Sequence, residues 1–220
     1  ILEEAIQYGL DRNKAVVIRP AVDPEFFIQS PDKIRNSKLK IITTGSLIWR
    51  KGYEYALMAI KLIIDKGMDA EFHIIGDGPE RQRILYTTAD LGLDGRVVLH
   101  GKLKPEEIRN HLQQSDIFLL SSLSEGISNA VLEAMSCGLP VVTTDCGGMR
   151  EAVNDGVEGF VVPVRDPDAM AEAMIQLVQD PELRAEMGKA ARARILRDFE
   201  LKDQVEAFVE LFSSAIKKSN

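Results

Sequence analysis

Short apolar runs alternate with amphipathic stretches along most of the chain. The runs are nearly continuous in hydrophobicity, which is typical of parallel strands that are covered on both faces. Helical patterns lie between them, the clearest ending in the charged turn and C-cap glycine of Lys66 and Gly67. This alternation predicts an α/β fold with a doubly wound, Rossmann-like parallel sheet. The predicted strands span residues 14–18, 39–44, 70–75, 96–100, 116–120, 140–144 and 159–163.

The strand pattern stops after Pro163, and only helical periodicity follows. Asp166 before Pro167 and Asp180 before Pro181 are typical of an N-cap followed by proline in the first helical turn. Residues 166–168 also form an Asp-x-Asp sequence, which some sugar transferases use to hold a metal. The N-cap explains the same three residues, so no metal site is expected there. C-terminal helices are predicted over 166–180, 181–199 and 201–218, and an irregular connection over 19–38.

Composition narrows the class of protein. With 220 residues, 45% hydrophobic and 28% charged, the chain is expected to be a soluble globular protein of one large or two small domains. A net charge of -7 without an evident basic patch argues against a nucleic-acid partner.

The sequence has no apolar run of transmembrane length. Its two cysteines fit neither a disulfide framework nor a zinc spacing, so a cytoplasmic location is expected. The three histidines (His73, His100 and His111) are scattered along the chain, and no metal cluster is expected from them.

Candidate chemistry lies in the turns that follow the strands, because open α/β sheets bind ligands at the carboxyl ends of their strands. In "TTGSLIWRKG" a glycine turn leads to Lys51 at a helix start, where backbone amides and a full charge favour an anion. The alternative is that Arg50 and Lys51 are a solvated basic pair. In "IIGDGPE", Gly76 and Gly78 permit close approach of a ligand, although a plain strand-to-helix turn is the alternative. In "LHGKLKPEEI", the backbone of Lys102 and Leu103 after Gly101 could face a base edge. The alternative is a helix-start turn with Glu106 and Glu107 on the helix dipole, which explains the glutamates but not Gly101.

The stretch "SEGISNAVLEAMSCGLPVVTTD" carries two glutamates around a predicted helix start near Ser128. Glu125 precedes the helix, where a carboxylate could act as a cap. Glu133 lies in mid-helix and cannot cap; it is predicted on a polar face with Asn129 and Ser136. Carboxylates only accept hydrogen bonds, which suits vicinal hydroxyls, while free amides at the helix start suit phosphate. The segment is therefore complementary to a sugar nucleotide. The opposite, sheet-packed face is predicted to hold Ala130, Val131, Ala134 and Met135.

Taken together, these motifs resemble the C-terminal domain of the family 4 (group 1) retaining glycosyltransferases of GT-B fold. The resemblance runs from "VIRPAVDPEFF" through "GSLIWRKG", "IIGDGPE" and "HGKL" to the Glu-x7-Glu pair, EAM-x-x-G-x-PVV and GG-x-x-E-x-V. It implies a donor-binding domain that takes part in transfer of a sugar from a nucleoside-diphosphate sugar to an acceptor. The implied domains are a connection from a missing N-terminal domain (1–22), a nucleotide-sugar-binding domain (23–200) and a C-terminal helix (201–220).

The resemblance also implies roles for individual residues. Glu133 would hold the ribose, Glu125 would contact the transferred sugar, and Lys51 would neutralise the diphosphate and stabilise the leaving group. Where the family usually has arginine this chain has Ser46, and Arg50 is the nearest replacement. The other implied donor-binding residues are Gly76, the base-facing Gly101, Lys102 and Leu103, and the backbone of Gly126, Ile127, Ser128 and Asn129.

No cofactor is expected, and no metal either, because the sequence offers no candidate acidic pair for a metal other than the capping Asp166 and Asp168. The resemblance further implies that the acceptor, a sugar or lipid-linked sugar, binds mainly to the missing N-terminal domain. The opening Ile1-Leu2, without an initiator methionine, is expected of a fragment. Peripheral association of the full-length protein with a membrane stays open, as do the sugar, the base and the acceptor. The alternatives are a non-catalytic nucleotide- or sugar-binding module, or another GT-B enzyme such as a sugar-nucleotide epimerase or a phosphorylase. A phosphorylase would need a lysine bearing pyridoxal phosphate, which nothing in the glycine turns indicates.

Overall fold

The computed structural model describes residues 2–30 and 38–219. Within them one sheet of six parallel strands has the order β3-β2-β1-β4-β5-β6, which is the Rossmann strand order and confirms the doubly wound prediction. The order reverses between β1 and β4, so the loops after these two strands diverge at the switch point where such sheets bind ligands. The strands are β1 (Leu39–Thr44), β2 (Ala70–Ile75), β3 (Val97–Gly101), β4 (Ile117–Leu120), β5 (Val141–Thr144) and β6 (Gly159–Val162).

Helices cover both faces of this sheet. Their bounds are α1 (Leu2–Gln7), α2 (Tyr53–Asp65), α3 (Arg81–Asp90), α4 (Pro105–Gln113), α5 (Asn129–Ser136), α6 (Met149–Ala152), α7 (Pro167–Gln179), α8 (Pro181–Asp198) and α9 (Leu201–Ser219). The predicted caps are present: Asp166 accepts a hydrogen bond from the Ala169 amide, and Asp180 accepts one from the Leu183 amide, each at 2.9 Å. The Asp166 carboxylate is thus engaged by its own helix. No helix among the described residues is long and apolar enough to cross a membrane.

Two apolar layers explain why the strand sequences are continuously hydrophobic. Ile41 packs in the layer under α2 and α7, whereas its neighbour Ile42 packs in the layer under α5 and α8. Both are fully buried because successive side chains of a strand point to opposite faces, and here both faces are covered.

The predicted strand at 14–18 is wrong. Lys14 ends a short 3₁₀ turn, and the residues after it have no regular secondary structure. Val16 and Val17 are 63% and 59% exposed, since no described strand lies beside them to supply hydrogen bonds or cover. Part of the predicted irregular connection, residues 31–37, lies outside the described residues.

The segment that enters the sheet domain and the segment that leaves it lie side by side. Val22 forms an isolated parallel bridge with Glu200, and the Leu201 amide donates to the Val22 carbonyl at 3.0 Å. Arg192 of α8 donates to the Phe27 carbonyl at 2.8 Å, which fixes the entering segment against the domain. The domain boundaries at 22 and 200 stay predictions. Helix α9 continues outward with exposed apolar side chains at Val205, Phe208, Val209, Phe212 and Ile216.

Candidate functional site

The loops after β1 and β4 are locked together at the switch point. The Ser121 hydroxyl donates to the Lys51 carbonyl at 2.8 Å, and the Leu123 amide donates to the Arg50 carbonyl at 2.7 Å. Gly52 packs so tightly here that a Cβ would lie 2.3 Å from the Ser121 carbonyl oxygen. The two loops therefore hold their side chains in a fixed relation.

This locking brings Lys51 and Glu125 together. The Lys51 ammonium contacts the Glu125 carboxylate, which also accepts a hydrogen bond from the Ser122 hydroxyl at 3.1 Å. The two side chains are 14% and 15% exposed, so each charge is largely removed from water and depends on its partner. Burial and the Glu125 charge raise the pKa of the neighbouring Tyr53 phenol well above its usual range. Sequence reasoning predicted Lys51 and Glu125 separately, but not their contact nor the roles of Ser122 and Tyr53.

A cavity of about 450 Å³ opens beside this pair, above the carboxyl ends of β1 and β2. That volume is in the range of small-molecule sites. Gly45 links the two features, because it lines the cavity and a Cβ on it would lie 3.5 Å from the Lys51 Nζ. The remaining lining residues are Thr44, Ser46, Ile75, Gly76, Asp77, Lys102, Leu103, Ile108, Ala130 and Glu133.

Glu133 forms part of the cavity wall as an unpaired carboxyl group. Its side chain makes no hydrogen bond or ion pair with any residue that the structure describes. Burial raises the pKa of Glu133 to about 7, because a carboxylate without a partner is poorly stabilised away from water. A group of this kind is complementary to a ligand that donates hydrogen bonds.

The helix start at α5 lies where it was predicted. Ser128 is the N-cap residue and α5 begins at Asn129, but the Ser128 hydroxyl makes no capping bond, which leaves the first amides of the helix to another acceptor. The preceding Gly126 is held by the turn after β5, since the Gly148 amide donates to the Gly126 carbonyl at 3.3 Å. Gly147 supports the same loop: its φ is +55° and a Cβ would lie 1.6 Å from the Glu125 carbonyl oxygen. The sequence analysis assigned no role to Gly147 and Gly148, although a Gly-Gly dipeptide after a strand indicates a turn.

The turns after β1, β2 and β3 lie side by side and extend the ladder of the sheet. The Gly45 amide donates to the Ile75 carbonyl at 2.9 Å, and the Gly76 amide donates to the Gly101 carbonyl at 2.8 Å. A Cβ on Gly76 would lie 1.8 Å from the Gly45 carbonyl oxygen, so this glycine is required by the neighbouring chain. That packing is a sufficient reason for Gly76, as the plain-turn alternative predicted, although the residue also lines the cavity.

One side chain of α5 differs from its predicted face. Ser136 is fully buried and donates to the Phe27 carbonyl at 2.6 Å, so it belongs to the packing against the entering segment. Ala130 packs against the apolar layer as predicted, and its half-buried side chain also lines the cavity next to Glu133. A helical wheel cannot anticipate the burial of Ser136, because α8 and the entering segment cover the far end of α5.

Of the two positions discussed for a second cation, Ser46 lines the cavity, whereas Arg50 is exposed and is absent from its lining.

The expectation that the three histidines are scattered is wrong. His73 in β2, His100 in β3 and His111 in α4 each place a ring nitrogen within 4.8 Å of the others. Adjacent pairing of β2 with β3 brings the first two together, and α4 supplies the third from the covering layer.

Comparisons with known proteins agree on one family. The family described as glycosyl transferases group 1 matches residues 25–194. The amylovoran biosynthesis glycosyltransferase AmsK of Erwinia amylovora is 32% identical over 200 residues, which cover 88% of this chain and 49% of that protein. The chain thus spans about half the length of this curated relative.

Solved structures agree in fold. The C-terminal domain of the group 1 glycosyl transferase LpcC from Francisella tularensis aligns with a TM-score of 0.74 at 21% identity, covering 82% of this chain and 99% of that one. Anabaena Alr3699/HepE, solved in complex with UDP-glucose, aligns with a TM-score of 0.86 at 23% identity, covering 95% of this chain and 60% of that one. The chain belongs to the glycosyl transferases group 1 family, with the fold of the C-terminal half of a GT-B enzyme.

Proposed function

We propose that this chain is the donor-binding half of a retaining glycosyltransferase, which transfers a sugar from a nucleoside-diphosphate sugar to an acceptor. The observation that carries the proposal is the Lys51–Glu125 pair at the switch point, beside a cavity walled by the unpaired Glu133. Charged groups of both signs are thereby placed along one donor-sized site: a cation for the diphosphate, and acceptors for hydroxyls on either side of it.

The diphosphate binds between Lys51 and the first amides of α5. A unit charge about 4 Å from a phosphate contributes roughly 4 kcal/mol of gross attraction at an effective dielectric near 20. The amides of Ile127 to Asn129 add the partial positive charge of a helix start. As the sugar leaves, negative charge grows on the departing diphosphate, and these groups stabilise it without any metal.

Glu125 and Glu133 accept hydrogen bonds from the two sugars of the donor. Glu125 lies next to Lys51 and therefore next to the diphosphate, where the transferred sugar is attached. Glu133 faces the cavity near Lys102 and Leu103, so it accepts from the ribose while the backbone of Gly101, Lys102 and Leu103 meets the base. Gly126 offers its backbone to the transferred sugar.

The acceptor, a sugar or lipid-linked sugar, binds mainly to an N-terminal half, so the 220-residue chain binds donor without transferring its sugar. We place the full-length enzyme in the cytoplasm, with peripheral membrane association where the acceptor is lipid-linked. The amylovoran biosynthesis glycosyltransferase, which is about twice this length, supports the assignment.

Calorimetry with a panel of nucleoside diphosphates and nucleotide sugars tests donor binding by this chain. We expect one base to be preferred and Lys51→Ala to weaken diphosphate binding at least tenfold, because a charge-assisted contact is lost. Lys61→Ala is the matched control, since this exposed lysine pairs with Asp65 on α2 outside the site. Arg50→Ala reports whether Arg50 replaces the arginine absent at Ser46. Equal binding by wild type and Lys51→Ala would contradict the proposed site. A full-length protein that binds donor without transfer to any acceptor would instead support a binding module.

A further inference from the structure

Three imidazole rings meet under the cover of α4, on the face of the sheet that also carries Ile42 and Ile75. The Nδ1 of His73 lies 2.9 Å from the Nε2 of His100, and the ring centroids of His100 and His111 are 4.3 Å apart. His73 is 7% exposed, and the other two rings are half-buried. These are the only histidines in the sequence, so all of its imidazoles are gathered at one place.

A carboxylate orients the most buried ring. The Glu71 Oε2 lies 3.4 Å from the Nε2 of His73, and Glu71 is itself held by Lys38 at 2.8 Å. When His73 Nε2–H donates to Glu71, the lone pair of Nδ1 is directed at His100. A carboxylate behind a histidine, with the other ring nitrogen free to bind, is the usual outer-shell arrangement of a metal-ligating histidine.

We propose that His73, His100 and His111 bind one divalent transition-metal ion of the Zn²⁺ class. Imidazole nitrogen suits Zn²⁺, Ni²⁺ and Cu²⁺, whereas Mg²⁺ and Ca²⁺ prefer oxygen ligands. Zinc–nitrogen bonds of about 2.0–2.1 Å place two ligands of a tetrahedral site about 3.3 Å apart. The His73 and His100 nitrogens need to separate by only about 0.4 Å from their present distance to reach it. Three protein ligands leave the fourth position to water.

The surrounding charges fit neutral imidazole ligands. Burial lowers the pKa of each ring, that of His100 to about 4, so the lone pairs are available at neutral pH. Lys40, which pairs with Glu71 across the β1–β2 ladder, contributes to this lowering and opposes a dication, whereas Glu71 and Glu107 favour one.

A metal at this position would tie α4 to β2 and β3, which already pair with each other as neighbouring strands. His100 immediately precedes the turn Gly101–Leu103, so the ion would fix one wall of the cavity. It lies apart from Lys51 and Glu125, and it has no part in holding the diphosphate.

Zinc titration of the chain, prepared without a polyhistidine tag and freed of metal with EDTA, tests the proposal. Long-range ¹H–¹⁵N NMR observes every imidazole separately, because the sequence has three. We expect saturation at one equivalent of Zn²⁺, a shift of one ring nitrogen in each histidine, and a higher melting temperature that EDTA reverses. Shifts in fewer than three rings, or binding only at millimolar Zn²⁺, would overturn the site.

Substitutions separate the site from adventitious binding. We expect His111→Ala and His100→Ala to lose affinity at least tenfold, and Glu71→Gln to lose about tenfold through the outer shell. Lys40→Met should tighten binding, a gain that misfolding cannot produce. Asp168→Asn, which alters the acidic Asp-Pro-Asp segment, is the matched control and should bind as wild type. Unchanged zinc affinity in His111→Ala, with circular dichroism showing a folded chain, would refute the three-histidine assignment.

Discussion

The Lys51 ammonium contacts the Glu125 carboxylate across two loops that are 74 residues apart in sequence. The lysine is therefore already neutralised by this carboxylate, and in the proposed site an incoming diphosphate would have to share or displace it. Under the proposed function, Glu125 would stand in for the donor's negative charge and keep Lys51 aligned before the donor binds. This relationship separates the two glutamates of the site, since Glu133 has no described partner at all.

Glu125→Ala should spare binding of a free nucleoside diphosphate and impair binding of the sugar-bearing donor. The variant frees Lys51 for the diphosphate but removes the acceptor for sugar hydroxyls. Calorimetry with the diphosphate and the matching nucleotide sugar measures both affinities in one variant. Equal weakening of the two ligands would show that Glu125 acts only by holding Lys51.

Glu133→Ala should weaken nucleotide binding by about 1.5–3 kcal/mol, or about tenfold or more in affinity, because one or two charge-assisted hydrogen bonds to ribose are lost. The fold should stay intact, since the side chain faces a cavity rather than the core. Thermal unfolding alongside calorimetry separates the two effects. A collapse of stability with unchanged affinity in the folded fraction would make Glu133 a structural residue.

Donor affinity should rise with pH through about 7, where Glu133 loses its proton when no donor is bound. The ionised form accepts hydrogen bonds from both ribose hydroxyls, so binding near neutral pH should release protons. Calorimetry with a nucleotide sugar, whose diphosphate does not titrate there, in buffers of different ionisation enthalpy measures the release. Glu133→Gln should abolish it.

The same raised pKa has a consequence for stability. Between the usual carboxyl pKa near 4.5 and about 7, the folded chain binds more protons at Glu133 than the unfolded chain does. Its contribution to stability is therefore present at low pH and is lost as pH rises through this window. At pH 8 Glu133→Gln should be more stable than wild type by about 1–2 kcal/mol, allowing for partial exposure. At pH 4 the two should melt alike, and a constant difference across pH would contradict this explanation.

Donor binding should not require Mg²⁺. In the proposed site Lys51 and the start of α5 carry the diphosphate, and the Asp166 carboxylate already caps α7. Titrations of a nucleoside diphosphate with Mg²⁺ and with EDTA should give similar affinities. A Mg²⁺ requirement that disappears in Asp168→Ala would assign the Asp-Pro-Asp segment to metal binding.

Gly147→Ala should disrupt the donor site, because a Cβ there meets the Glu125 carbonyl oxygen at 1.6 Å. Gly156→Ala is a matched control: its φ is +78°, but a Cβ would have nothing within 4 Å. The control should lose about 1–2 kcal/mol of stability from backbone strain alone and keep donor affinity. Gly147→Ala should lose more stability and also donor affinity. Similar behaviour of the two variants would show that Gly147 does not support the Glu125 loop.

The sheet could be predicted from the sequence, because each buried strand is covered on both faces and therefore carries an uninterrupted apolar run. The same rule failed at 14–18, where Val16 and Val17 are apolar but have no strand beside them. Helix starts at Asp166 and Asp180 were predictable because a cap is a local interaction.

Contacts between residues far apart along the chain could not be predicted from local sequence patterns. Local patterns placed Lys51 and Glu125 at strand ends, but their contact depends on β1 lying next to β4, which no local pattern reveals. For the same reason Ser136 was assigned to an open face although the entering segment covers it, and the histidines looked scattered although strand pairing gathers them.

The hydrogen bond between Val22 and Leu201 has a mechanical consequence. The entering segment and the start of α9 are hydrogen-bonded to each other, so both join the domain at one corner. A displacement of either segment beyond this corner needs no change in strand register. The loops after β1 and β4 are fixed by their own hydrogen bonds, so such a displacement would leave the spacing of Lys51 and Glu125 unaltered.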